Sequence, residues 1–259
     1  MNITNKTLSI VTGATGGLGK AISNSILIKG GKLLVVARDL NKINSYVDTV
    51  EKSKLPFLFK IQSDLSKEED LKNVEKIINQ LIKSNKDIEE IFLFNNASII
   101  DPISLIKDVK FKDISNALVL NISTAYTLSS TLLRIKQSNQ KIRINIINIS
   151  SGVSINAVKG WSAYCISKAG LNMLSKCIAI ENEFDDVFSL SINPGAIDTG
   201  MQEKIRNADS VQIPATKKFE TMYNEGKLQQ PNDVADKLFR ILASNDYSNG
   251  DFIDFNKIN

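Results

Sequence analysis

The chain predicts an α/β domain: a doubly wound parallel sheet of about seven strands, with helices on both faces. Three observations predict it. Short apolar runs alternate with helix-period segments from end to end, the order that folds into parallel strands joined by crossover helices. One run, Ile91–Phe94, is continuously apolar, as a strand buried on both faces must be. A glycine-rich segment, Thr12–Gly19, sits where the first strand hands over to the first helix.

The elements follow in order. Leu8–Val11 reads as the first strand, then the glycine-rich turn and a helix to about Lys29. Lys32–Ala37 is the second strand and Asn41–Lys52 a helix. Phe57–Ile61 is the third strand. Ser66, with Glu69 three residues on, predicts a capping box opening a long helix. After the fourth strand, Ile91–Phe94, a long helix is expected over 112–137. Ile142–Ile149 is the fifth strand, followed by a clean helical run from Ala163 to Ile180. Val187–Ile192 is the sixth strand, Pro231–Ala243 a short helix and Asp251–Phe255 the last strand. Residues 195–230 show no strong period, and 201–230 read as a substrate lid, since long loops in compact domains usually serve function.

Length and composition fit one domain over 1–259. The net charge of +4 is small and its charges interspersed, so no nucleic-acid or membrane surface is expected. No apolar run approaches a membrane span, and Met1–Lys6 lead into a strand without a signal peptide. Cys165 and Cys177 lie on one expected helix, about 18 Å apart along its axis, too far for a disulfide. A reduced, cytoplasmic protein is the simple reading. The chain has no histidine, which excludes Ser-His-Asp catalysis and His-ligated metals. Acid–base work then falls to Tyr, Lys or carboxylates.

The glycines at 13, 17 and 19 follow a G-x-x-x-G-x-G spacing. At a strand-to-helix turn such residues let the backbone approach a pyrophosphate at the positive helix end. Gly13, Thr15, Gly16, Gly17, Leu18 and Gly19 are the expected contacts. At the end of the second strand an acid would bind the ribose 2′-hydroxyl of NAD, whereas arginine suits the 2′-phosphate of NADP. The chain has Arg38 there, and Asp39 beside it keeps dual use open. Asp64-Leu65 after the third strand would meet the adenine, or only shape the next turn. Asn96 and Ala97 follow the fourth strand, at the sheet edge where ligands bind, or satisfy loop backbone groups. Asn121 sits in a helical segment that Asn disfavours, where it could hold a water. Pro194, Gly195, Ile197 and Thr199 follow the sixth strand and would line a nicotinamide, with a plain turn as the alternative.

Tyr164 and Lys168 are four apart, on one face of their helix, and Ser151 lies thirteen residues upstream at a strand end. A phenol beside an ammonium, with a second hydroxyl near, can exchange a proton with a carbonyl or alcohol oxygen. Spacing alone is ambiguous, because Ser210, Tyr223 and Lys227 repeat it. Gly226 and Pro214 are loop signals at that second triplet, so placement favours the first.

Taken together and in order, these motifs resemble the short-chain dehydrogenase/reductase family over essentially the whole chain. One departure is Ser98, where the family usually has Gly. The resemblance implies a Rossmann-type fold and an NADP(H)-dependent reductase. It makes Tyr164 the general acid, Lys168 the ribose ligand that lowers the Tyr164 pKa, Ser151 the group polarising the carbonyl and Asn121 the holder of a relay water. It also implies a homodimer or homotetramer through the helices near 112–137 and 161–183.

A narrower resemblance, to sepiapterin reductases and to (S)-benzoin-forming benzil reductases, rests on Lys159–Cys165, Asp198–Gln202 and Gly250–Phe255. It makes Asp254 a pteridine anchor, against the plainer reading of an exposed edge-strand charge. Trp161 and Met201 would meet the substrate, though Trp161 could equally pack under the lid. The expected activity is reduction of a ketone or vicinal diketone, the small-molecule carbonyl substrate. A 3-oxoacyl-thioester reductase is the alternative within the class, and a non-catalytic dinucleotide-binding sensor the alternative outside it.

Overall fold

A computed structural model describes residues 3–43, 57–183, 185–208 and 214–258. The strands are β1 (Thr7–Thr12), β2 (Lys32–Ala37), β3 (Leu58–Gln62), β4 (Glu90–Asn95), β5 (Arg143–Ile149), β6 (Val187–Asn193) and β7 (Phe252–Asp254). They form one seven-stranded sheet in the order β3-β2-β1-β4-β5-β6-β7, every neighbour parallel. The order reverses between β1 and β4, so the carboxyl ends of those strands open a crevice there.

Alternate side chains of each strand feed two cores. Val11, Leu33, Val35, Phe92 and Phe94 face α1 (Gly17–Ile28) and the last helix; Ile10, Leu34, Val36, Ile91 and Leu93 face the opposite layer. That layer contains α2 (Glu68–Ser84), α4 (Thr124–Ser138) and α5 (Ser162–Glu181), which supply Val74, Ile78, Leu128, Leu132, Leu171 and Ile178.

Several boundaries differ from expectation. The helix expected over 41–52 is helical at 41–43, and its remainder lies outside the described residues. The Ser66–Glu69 capping box does not form. α2 begins at Glu68 with Lys67 at its N-cap, while Ser66 turns back and donates from N and Oγ to Asp64 Oδ1 at 3.2 and 2.7 Å. Acidic Glu68, Glu69 and Asp70 serve the helix start through the dipole instead.

The helix expected over 112–137 is interrupted. It runs as α3 (Phe111–Leu118), a π turn (Val119–Ser123) and α4, with Asn121 inside the π turn. The segment read as periodless holds α6 (Gly200–Arg206) and α7 (Ala215–Asn224). Both are too short for a strong period, though Met201–Ile205 and Ala215–Phe219–Met222 carry the spacing. α8 (Pro231–Ser244) opens on Pro, ends one residue beyond the expected Ala243 and is capped by Asn245 in the left-handed region.

Candidate active site

The crevice widens into a cavity of about 980 Å3 at the carboxyl ends of the strands. Gly13, Thr15, Gly16, Gly17 and Leu18 line one end, with Arg38, Asp64, Leu65, Asn96 and Ala97. Ser151, Tyr164 and Lys168 line its middle, beside Pro194, Gly195, Ile197 and Thr199. Trp161, Met201 and Asp254 line the far side. Of the expected site residues, Gly19 and Asn121 alone do not border the cavity.

Gly19 acts through packing. A Cβ there would sit 2.3 Å from the Gly13 carbonyl oxygen and 2.5 Å from Asn96 Nδ2, so only hydrogen fits. Gly13 and Gly17 take φ of +66° and +50°, which the turn needs and L side chains resist. The turn delivers α1 with Gly16 as a side-chain-free N-cap and no acid in its first turn. Its leading N–H groups therefore face the cavity uncapped, as a pyrophosphate would require.

The loop after β4 is held from two sides. Thr12 Oγ1 accepts from the N–H groups of Asn96 and Ala97, both at 3.0 Å. Asn121 Oδ1 accepts from Ile99 N at 2.8 Å, and Asn121 Nδ2 donates to Ile99 O at 2.8 Å and Ser167 Oγ at 3.2 Å. The Asn121 side chain is thus committed to the loop and to α5.

Lys168 is buried and donates to Ile149 O at 2.7 Å, with its Nζ 5.3 Å from the Tyr164 ring centroid. Burial pushes the Lys168 pKa down to about 7. Burial also pushes the Tyr164 phenol up to about 12; the Ser151 and Ser98 hydroxyls beside it pull the other way. Without a bound charge, both groups are driven toward neutrality, and Tyr164 carries its proton.

Sequence reasoning missed the fastening of Ser151. Ser150 Oγ donates to Asn172 Oδ1 at 2.7 Å, Asn172 Nδ2 donates to Ser154 Oγ at 2.8 Å, and Ser154 Oγ donates to the Ser151 carbonyl at 2.6 Å. The signal was available: Tyr164, Lys168 and Asn172 repeat every four residues on one face of α5.

Trp161 packs against the segment expected to form the lid and also faces the cavity. It borders the cavity, and it stacks on Phe219 of α7 at 5.6 Å and 19° while meeting Tyr164 edge-on at 6.4 Å. Asp254 Oδ1 accepts from Asn193 Nδ2 at 2.8 Å and from Asn256. The rival triplet is not assembled on the cavity: Tyr223 sits half-exposed on α7 under the Arg206 guanidinium, and Lys227 pairs with Glu225. Tyr223 is helical, against the loop expectation, and Ser210 lies outside the described residues.

An uncapped helix start in a glycine cradle, leading to a buried Tyr–Lys pair, is the arrangement of an oxidoreductase that binds a nicotinamide dinucleotide. The family profile described as short chain dehydrogenase matches residues 7–210, and the chain belongs to that family. A benzil reductase ((S)-benzoin forming) of Bacillus cereus is 30% identical over 249 residues, covering 94% of this chain and 97% of its own. The sepiapterin reductase of Bos taurus is 27% identical, covering 96% and 94%. Among solved structures, the KRED1-Pglu enzyme superposes with a TM-score of 0.79 at 26% identity, covering 95% of this chain and 99% of its own. Among the described residues, no helix is long and apolar enough to cross a membrane.

Proposed function

We propose that the chain is a cytoplasmic, NADPH-dependent carbonyl reductase that reduces a ketone, or one carbonyl of a vicinal diketone beside a flat ring. The observation that carries this reading is the Tyr164–Lys168 pair opening into the aromatic-walled half of the same cavity that the glycine cradle enters. Benzil and sepiapterin reductases among the relatives support the substrate class.

Tyr164 gives its proton to the carbonyl oxygen, and Ser151 orients and polarises that oxygen. Lys168 binds the ribose and, when protonated, stabilises the phenolate. A bound nicotinamide would supply the hydride. Asn121 contributes by holding the loop at Ile99.

Arg38 and Lys42, both on the cavity wall, support the phosphorylated cofactor. Asp39 Oδ1 accepts from Asn41 N at 3.0 Å, so the competing carboxylate is partly occupied by the turn. Met201, Ile205 and Phe219, on the cavity wall, support the reading of 195–230 as a substrate lid. Asp254 anchors a pteridine-type donor where the substrate has one. The exposed Tyr126 of α4 and Ile166, Met173 and Ile180 of α5 support assembly as a homodimer or homotetramer.

An NADPH-oxidation screen over benzil, phenylpropanedione, sepiapterin and acetoacetyl thioesters tests the reading. Turnover of the ring-bearing diketones is expected. Preference for the thioester would replace the substrate class, and binding of NADPH without any turnover would favour a sensor.

A further inference from the structure

Ser98 stands where the family usually places glycine, and its surroundings give that difference a consequence. Its Oγ is shielded from solvent yet has no hydrogen-bond partner among the described residues. Leaving a buried hydroxyl unpaired is unfavourable, and native proteins rarely do so without a reason. The residue borders the cavity, and its hydroxyl lies beside the Tyr164 phenol.

Its position is also fixed. Ala97, just before it, is held through its N–H by Thr12 Oγ1 at 3.0 Å; Ile99, just after it, is held at both N–H and carbonyl by Asn121 at 2.8 Å. Ser98 is therefore presented from a backbone clamped on both sides, toward a reacting group on a different element. A hydroxyl so placed can reach a neighbouring acceptor through a change of its χ1 angle, with the backbone left in place.

We propose that Ser98 is a positioning residue for Tyr164, its hydroxyl donating to the phenol oxygen and stabilising the phenolate formed when Tyr164 protonates a substrate carbonyl. The proposal rests on the reductase reading. In that step the Tyr164 proton moves to the substrate oxygen, a bound reduced nicotinamide would supply the hydride, and Ser98 keeps its own proton. Ser151 also acts on the phenol, and more strongly; when it turns to the substrate carbonyl, Ser98 remains beside Tyr164. Burial opposes ionisation of Tyr164, and the Ser98 hydroxyl acts against that opposition.

The test compares wild type with Ser98→Ala and Ser98→Gly. Both variants should fold, the second restoring the usual family residue. The basic limb of the reduction pH profile should move up by about one pH unit, the effect of one hydrogen bond to a charged oxygen. The value of kcat near neutrality should fall about three- to tenfold, while the NADPH dissociation constant stays within about twofold.

Tyrosine 13Cζ NMR, with the Tyr164 signal assigned by Tyr164→Phe, reads the phenol without turnover. Its titration should move up by the same amount in both variants. Identical Tyr164 titration in wild type and both variants overturns the proposal. Absence of turnover with every carbonyl would count against the reductase reading, and the NMR titration would still decide the Ser98 contact.

Discussion

Asn121 and Ile99 hold each other in a closed pair of hydrogen bonds: Ile99 N–H to Asn121 Oδ1, and Asn121 Nδ2 to the Ile99 carbonyl, each 2.8 Å. The two residues sit on different elements, the π turn and the loop after β4. The π turn places a buried amide where a regular helix would have turned it elsewhere, a common use of π bulges at functional sites. Through this pair the helix that precedes β5 sets the position of Ser98 against Tyr164.

Asn121→Ala should therefore loosen the loop, not remove a catalytic group. Leaving the Ile99 N–H and carbonyl unpaired should cost about 1–3 kcal/mol of stability, read as a fall in the denaturation midpoint. Turnover should drop, and Tyr164 should titrate higher as Ser98 loses its fixed position beside the phenol. A variant of unchanged stability would show that the pair does not carry the loop.

Tyr164→Phe should lower kcat about 10²–10⁴-fold, the range for loss of a positioned proton donor. NADPH binding, followed by fluorescence titration, should stay nearly intact. Unchanged turnover would sink the assignment of the acid.

Arg38→Ala should raise the KM for NADPH by about tenfold or more and leave NADH kinetics nearly unchanged, since a charge-assisted contact to the 2′-phosphate is worth about 1.5–3 kcal/mol. Equal worsening with both cofactors would refute the phosphate contact.

The ligand-free protein should become more stable as pH rises from about 7 toward 10.5, the range in which the unfolded chain binds a proton at Lys168 that the folded chain does not. Tyr164 works in the other direction: above its ordinary value of 10, up to about 12, the folded chain keeps a proton that the unfolded chain has lost, so stability falls. Lys168→Met should remove the first trend. Its melting temperature should exceed that of wild type by a few degrees near pH 7, a gap that closes as pH rises. A constant gap across that range would place the Lys168 pKa near its ordinary value.

Asp254→Asn should reduce turnover of pteridine-bearing substrates by about tenfold, the effect of one lost charged hydrogen bond, and spare benzil. No change with any substrate would remove the anchor role and leave Asp254 as the acceptor for Asn193 and Asn256.

The parts legible in the sequence are local ones. The β–α alternation comes from runs of apolar residues, and the glycine turn from residues that must adopt positive φ or admit close packing within a few positions. Tyr164–Lys168 was legible because one helix turn brings i and i+4 together whatever the rest of the chain does. What the tertiary structure decided depends on residues far apart in the chain. Asn121 is separated from Ile99 by 22 positions, and no pattern at that range announces a hydrogen bond or a π turn. α6 and α7 are short enough that burial in the Trp161 cluster, through Ile205 and Phe219, marks them where period cannot. The sequence alone showed Ser98 as a departure from a family habit. Only the fold clamped its neighbours on both sides and left its hydroxyl buried, unpaired and beside the phenol.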